Sequence, residues 1–173
     1  DALQHVSTGK DTELHFVGAV GDCGDIFDLF AEYLGTSIFL HGLRKRPEVV
    51  RAMQDADILV NISNQSMHQL PSKVVEYVWT GKPLLNLTTV AKDTTSEFLA
   101  AYPGLLSLVV SDGKPTNLDV AALRDFVATP PATVPVEARK QWLAAYEIDA
   151  IAGQYDALMA VDRPVGCTAA TGE

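Results

Sequence analysis

The residues best able to do chemistry gather between His68 and Lys82: a histidine, then Ser72, Lys73, Glu76, Thr80 and Lys82 among apolar neighbours. If this stretch is helical, a hydroxyl, an ammonium and a carboxylate fall close together at 72, 73 and 76. Free N–H groups at a helix start, with the helix dipole, favour an anion by roughly 0.3–2 kcal/mol depending on burial. Ser72 adds a hydroxyl to such a site and Lys73 a cation. A carboxylate one turn further in is a poor neighbour for phosphate but a good acceptor for two sugar hydroxyls. The set suits phosphate at the helix tip and ribose behind it, on Glu76. The same residues also suit a plain amphipathic helix. Ser72 is then the cap, and Lys73 with Glu76 a surface pair worth ~0.2–0.5 kcal/mol.

The positioning elements can be read around these residues. Pro71 suits a first helical turn, Gly81 suits the position after the last, and Pro83 prevents continuation. The helical period places Ser72, Lys73, Glu76 and Thr80 on one arc, and Val74, Val75, Val78 and Trp79 on the opposite, sheet-facing arc. Strand and helix patterns alternate along the chain, which predicts a parallel sheet. Strands are expected over 14–18, 37–41, 57–62, 84–87 and 105–110, with 57–62 apolar on both faces and hence central. Helices are expected over 26–34, from Pro47 onward, up to Gly81, over 117–127 and over 136–161. Residues 129–133 read as a short linker, and Ile148, Ile151, Tyr155 and Leu158 as one apolar stripe. The predicted fold is a Rossmann-like open parallel sheet with helices on both faces and a helical C-terminal extension. It occupies 1–161, and 162–173 form a flexible tail. In such sheets ligands bind beside the carboxyl ends of the strands, where the helix after Pro71 begins.

Composition narrows the function classes. A net charge of −9 argues against a sequence-independent nucleic-acid binder. No apolar run approaches the ~20 residues of a membrane-spanning helix, and residues 1–5 lack the basic start and apolar core expected of a secretory signal, while the first residue, Asp1 and not Met, leaves a removed signal open. A cytoplasmic location is expected, with peripheral attachment at the inner membrane face left open. The two cysteines, Cys23 and Cys167, form no cluster with metal spacing, so no metal site is expected. Cys23 reads as an ordinary loop cysteine or a reactive thiol. Gly18, Gly21 and Gly24 follow the first strand without dinucleotide-binding spacing, and the second strand ends in His41 and Gly42 instead of an acid. The glycines are then read as room for a tight turn or a close ligand. His41 reads as a ligand contact or a strand-end hydrogen bond. His5 and His15 have no sequence context.

The run Leu70, Pro71, Ser72, Lys73, Val74, Val75, Glu76, Tyr77, followed by Thr80, Gly81, Lys82 and Pro83, closely resembles a signature of bacterial glycosyltransferases. It is the sugar-nucleotide signature of the GT-B fold, family 4-like. Phe16 to Gly18, Phe39 to Gly42 and Met53 to Ile62 are similar to the family's upstream pieces, in order, and the resemblance covers roughly 14–110. It implies that Glu76 holds the ribose and that Leu70, Pro71, Ser72 and Lys73 surround the diphosphate. It places His41, Gly42 and Leu43 near the base, and Ser63 and Asn64 beside the donor. Gly18, closing the first strand, is counted with these substrate-binding residues. Lys73 is the expected catalytic cation, aimed at the departing diphosphate. His68 stands where the family often has a first glutamate, seven residues before the second, and is the other catalytic candidate. The family's basic pair after the first strand is replaced by Ala19, Val20, Gly21 and Asp22. Arg44, Lys45 and Arg46 either supply that charge or form a solvated turn.

The implied function is donor binding for a retaining, metal-independent hexosyltransferase of polysaccharide biosynthesis. No cofactor is expected beyond the nucleotide-diphosphate sugar substrate. The acceptor, a glycan or lipid-linked sugar, is expected on an N-terminal domain outside this chain. The alternatives are a non-catalytic sugar-nucleotide or phosphate-binding module and a GT-B-like sugar-nucleotide epimerase.

Overall fold

Among the described residues, apolar runs too short for helices, separated by Gly and Pro, become five parallel strands. A computed structural model describes residues 12–63, 69–90, 92–110 and 117–161. β1 (Leu14–Phe16) pairs with β2 (Ile38–Leu40), Leu14 opposite Ile38. β3 (Leu59–Ile62), β4 (Leu84–Thr88) and β5 (Leu105–Val109) form a second parallel sheet in the order β3-β4-β5. The chain is therefore mixed α/β with parallel strands, as the alternation predicts. The expected single sheet is two small sheets among the described residues, and β4, not β3, is central. Apolarity on both faces reports what covers a strand from above and below, and is silent about its hydrogen-bonded edges.

The helices that form are those with something to pack against. α1 (Gly24–Asp28) is a single turn, followed by a separate 3-10 turn at Ala31–Tyr33, so the expected helix over 26–34 does not form. Of its helically spaced residues Ile26 stays exposed and Phe27, Phe30 and Leu34 are only half-buried, Phe27 edge-on to Phe16 at 5.0 Å, and a helix this short is unstable in water without deeper burial. α2 (Arg46–Asp55) carries Pro47 in its first turn, and the Lys45 N–H donates to Glu48 Oε2 at 3.0 Å. α3 (Ser72–Thr80) ends at Gly81, whose φ of 75° only glycine adopts without strain. α4 (Thr94–Leu99) was not expected. The Asp93 side chain caps it, accepting from the Ser96 N–H at 2.6 Å.

α5 (Asn117–Ala128) matches its expected span closely. The expected helix over 136–161 is broken into α6 (Val136–Leu143), a 3-10 turn at Ala144–Tyr146 and α7 (Ile148–Val161). The break falls where anchoring ends. Leu143 is in the core, and Trp142 stacks on Phe98 and Tyr102 at 5.3 and 5.2 Å, while residues 148–157 stay largely exposed.

The core joins Val74 and Val78 of α3 to Leu59, Leu84, Leu99, Tyr102, Val134 and Leu143. Each such aliphatic side chain contributes ~1.5–3 kcal/mol when fully buried. The expected linker at 129–133 leads into a strap, where the Val134 N–H bonds the Gly81 carbonyl at 2.8 Å. Trp79 is a correction. It is 54% exposed, and half-buried Tyr77 takes its place against the core. At ~100° per residue, position 79 falls about 20° from Ser72 and not opposite it. Among the described residues no helix is long and apolar enough to cross a membrane.

Candidate functional site

The start of α3 is the centre of the expected site. Pro71 holds the cap position with extended backbone (φ −64°, ψ 132°) and offers no side-chain cap. Ser72 is the first helical residue, not the cap, and both Ser72 and Lys73 are exposed. Leu70 packs against the core, so its side chain supports the turn from beneath. The expected Asn64 and His68 lie outside the described residues.

Glu76 does not pair with Lys73. It accepts from both terminal nitrogens of Arg46 at 3.3 Å, a residue thirty positions earlier. This brings the basic turn after β2 to the flank of α3. A cleft of about 340 Å³ runs between α2 and α3 past Arg46, Met53, Glu76, Trp79 and Lys82. The carboxylate thus faces a cleft and not solid protein. The pair itself is largely exposed and contributes little to stability.

The second part of the site is built on β1 and β2. The Gly18 N–H donates to the Gly42 carbonyl at 2.9 Å, and Gly42 turns the chain at φ 66°. Leu43 projects into solvent. His41 Nε2 lies 2.9 Å from His15 Nδ1, and His15 Nε2 lies 2.9 Å from Glu13 Oε2. The order of donors follows from the carboxylate, which when ionised only accepts. A neutral His15 then donates to Glu13 and accepts at Nδ1. His41 donates to it from Nε2 and keeps its own Nδ1 as an acceptor. His15, without context in the sequence, is what sets the polarity of His41; parallel strands bring it there.

Sequence reasoning missed a third part. Asn61, Asn86 and Ser107 are neighbours across β3, β4 and β5. Asn61 donates to the Asn86 carbonyl oxygen at 2.7 Å, and Asn86 donates to Ser107 at 3.1 Å. The Ser63 hydroxyl donates to Asn86 Oδ1 at 3.3 Å, and the Ser63 N–H bonds the Leu87 carbonyl at 2.8 Å. The expected donor-flanking residue is therefore held by a buried polar bar. Next to it, Thr88 donates to Asp93 at 3.2 Å. Burial pushes the Asp93 carboxyl up, but hydrogen bonds from Ser96, Ser63 and Thr88 outweigh it and hold the pKa below its usual value. The signal was present in the sequence: one asparagine inside each of two otherwise apolar strands.

Among the described residues no group of three or more His, Cys, Asp or Glu side chains is placed to hold a metal ion. No protein-family model matches the chain, and no curated protein matches it. A functional reading therefore rests on these residues and their geometry.

Proposed function

We propose that this domain binds a nucleotide-diphosphate sugar and forms the donor half of a retaining, metal-independent glycosyltransferase of the GT-B fold. In this reading an N-terminal domain holds the glycan or lipid-linked acceptor. The observation that carries it is the first turn of α3. Ser72 and Lys73 stand exposed there beyond a proline with no capping side chain, and Glu76 faces a cleft one turn on. The first-turn N–H groups and Lys73 receive the diphosphate. On binding, Glu76 turns from Arg46 to the ribose hydroxyls, and Arg46 takes the charge that the turn after β1 does not supply. As the bond from the anomeric carbon to the phosphate oxygen breaks, negative charge grows on the leaving diphosphate. Fixed positive charge at the helix tip stabilises it there more than in the ground state.

A thermal-shift panel of pyrophosphate, UDP, GDP, ADP and their sugars tests this. A ligand at a hundred times its dissociation constant stabilises the native state by ~2.7 kcal/mol. Lys73→Ala is expected to weaken every diphosphate, pyrophosphate included, and Arg46→Ala to do the same. Glu76→Ala is expected to remove most of the nucleotide response while sparing pyrophosphate. Equal responses of wild type and Glu76→Ala would sink the ribose assignment.

A further inference from the structure

α7 has an apolar side that is largely exposed among its described side chains. Ile148, Ile151 and Tyr155 recur at the i, i+3, i+7 spacing of a docking helix, and they are 84%, 39% and 66% exposed. Fourteen residues are marginal as an isolated helix in water, and Gly153 in the interior weakens this one further. The charges beside the stripe are all negative: Glu147, Asp149 and Asp156, with no basic residue between Ile148 and Val161.

The opposite surface lies elsewhere on the same chain. The groove beside α3 has Met53, Trp79 and Val136 on its walls, and Lys82, Arg139 and Arg46 at its edges. Glu76 is the acid among these lining residues. Arg139 is fixed in place by donating to the Trp79 carbonyl. A cationic groove on a chain of net charge −9 is a concentration of the minority charge. Trp79 remains 54% exposed with α7 of the same chain in place.

We infer that the occupant of this groove is α7 of a second copy of the chain. The helix enters with Ile148, Ile151 and Tyr155 against Trp79 and Met53, and its carboxylates face Lys82 and Arg139. A reciprocal exchange about a two-fold axis covers both stripes and both grooves, leaving neither surface open for further growth. The groove shares Arg46 and Glu76 with the expected nucleotide site but not Ser72 or Lys73, so nucleotide is expected to compete with the dimer, while Lys73→Ala is expected to weaken diphosphate binding and leave self-association unchanged.

Sedimentation equilibrium on the full chain, over a wide concentration range, decides it. The expected result is a reversible dimer that weakens as salt rises. Tyr155→Glu, at an exposed position, is expected to leave the circular dichroism of the sheet domain unchanged and the chain monomeric. Lys82→Glu alone and Asp149→Lys alone are each expected to dimerise about tenfold more weakly or worse. Mixed in equal amounts, they are expected to recover the wild-type dimer, because both reciprocal contacts again join opposite charges. A chain that stays monomeric at every concentration would overturn the inference, as would a dimer indifferent to Tyr155→Glu or a mixture no tighter than its components.

Discussion

Asn86 is fully buried, and so an amide at this position must have all its partners supplied by protein. Asn61, Ser63 and Ser107 supply them, and the same neighbourhood holds Asp93. Asp93 leads to a prediction at this scale. Its folded pKa lies below the unfolded value of about 3.9, so its contribution is fully present above that pH. It is lost as the pH falls from there through the depressed folded value. Melting temperature followed against pH should show this acid-side loss in the wild type, and Asp93→Asn should flatten that part of the profile. Asp93→Ala should also lower stability at neutral pH by ~1 kcal/mol through loss of the α4 cap. Single residues were legible in part. Ser72, Lys73 and Glu76 could be placed by helical period, but the partner of Glu76 could not. Arg46 reaches it only because α2 packs beside α3.

Elements were legible where local punctuation and burial agree. α3 begins after Pro71 and stops at Gly81, as its proline and glycine predict. α4 shows the reverse: Asp93 and Ser96 are an ordinary capping pair, but six residues carry too short a period to stand out. The stretch over 26–34 had the period but only half-buried contacts, and the helix did not extend. Two glycines should therefore answer substitution with opposite signs. At Gly81 an added methyl meets the Val134 carbonyl oxygen at 2.7 Å, at a φ of 75°. Gly81→Ala should lower the urea midpoint by an amount equivalent to more than ~1 kcal/mol. At Gly153, inside α7, an added methyl has nothing within 4 Å. Gly153→Ala should increase helical circular dichroism, because alanine favours a helix interior by ~0.5–1 kcal/mol.

At the scale of the whole molecule, stability is unevenly distributed. β4 is covered on both faces and paired on both edges, while β1 and β2 pair only with each other over three residues among the described segments. Native-state hydrogen exchange should place the amides of Leu85 and Leu87 among the slowest, and that of His41, bonded to the Phe16 carbonyl, orders of magnitude faster. Equal protection in the two sheets would mean that they open as one unit.

By itself the sequence determined the class of fold and the start and stop of α3. Each of these follows from neighbours a few residues apart, through helical period and proline and glycine geometry. Tertiary structure alone decided that β4 is central, that Trp79 faces outward, that His15 orients His41, and that Arg46 reaches Glu76. Those depend on segments far apart in the chain meeting in space, and neither spacing nor composition records which edges will pair.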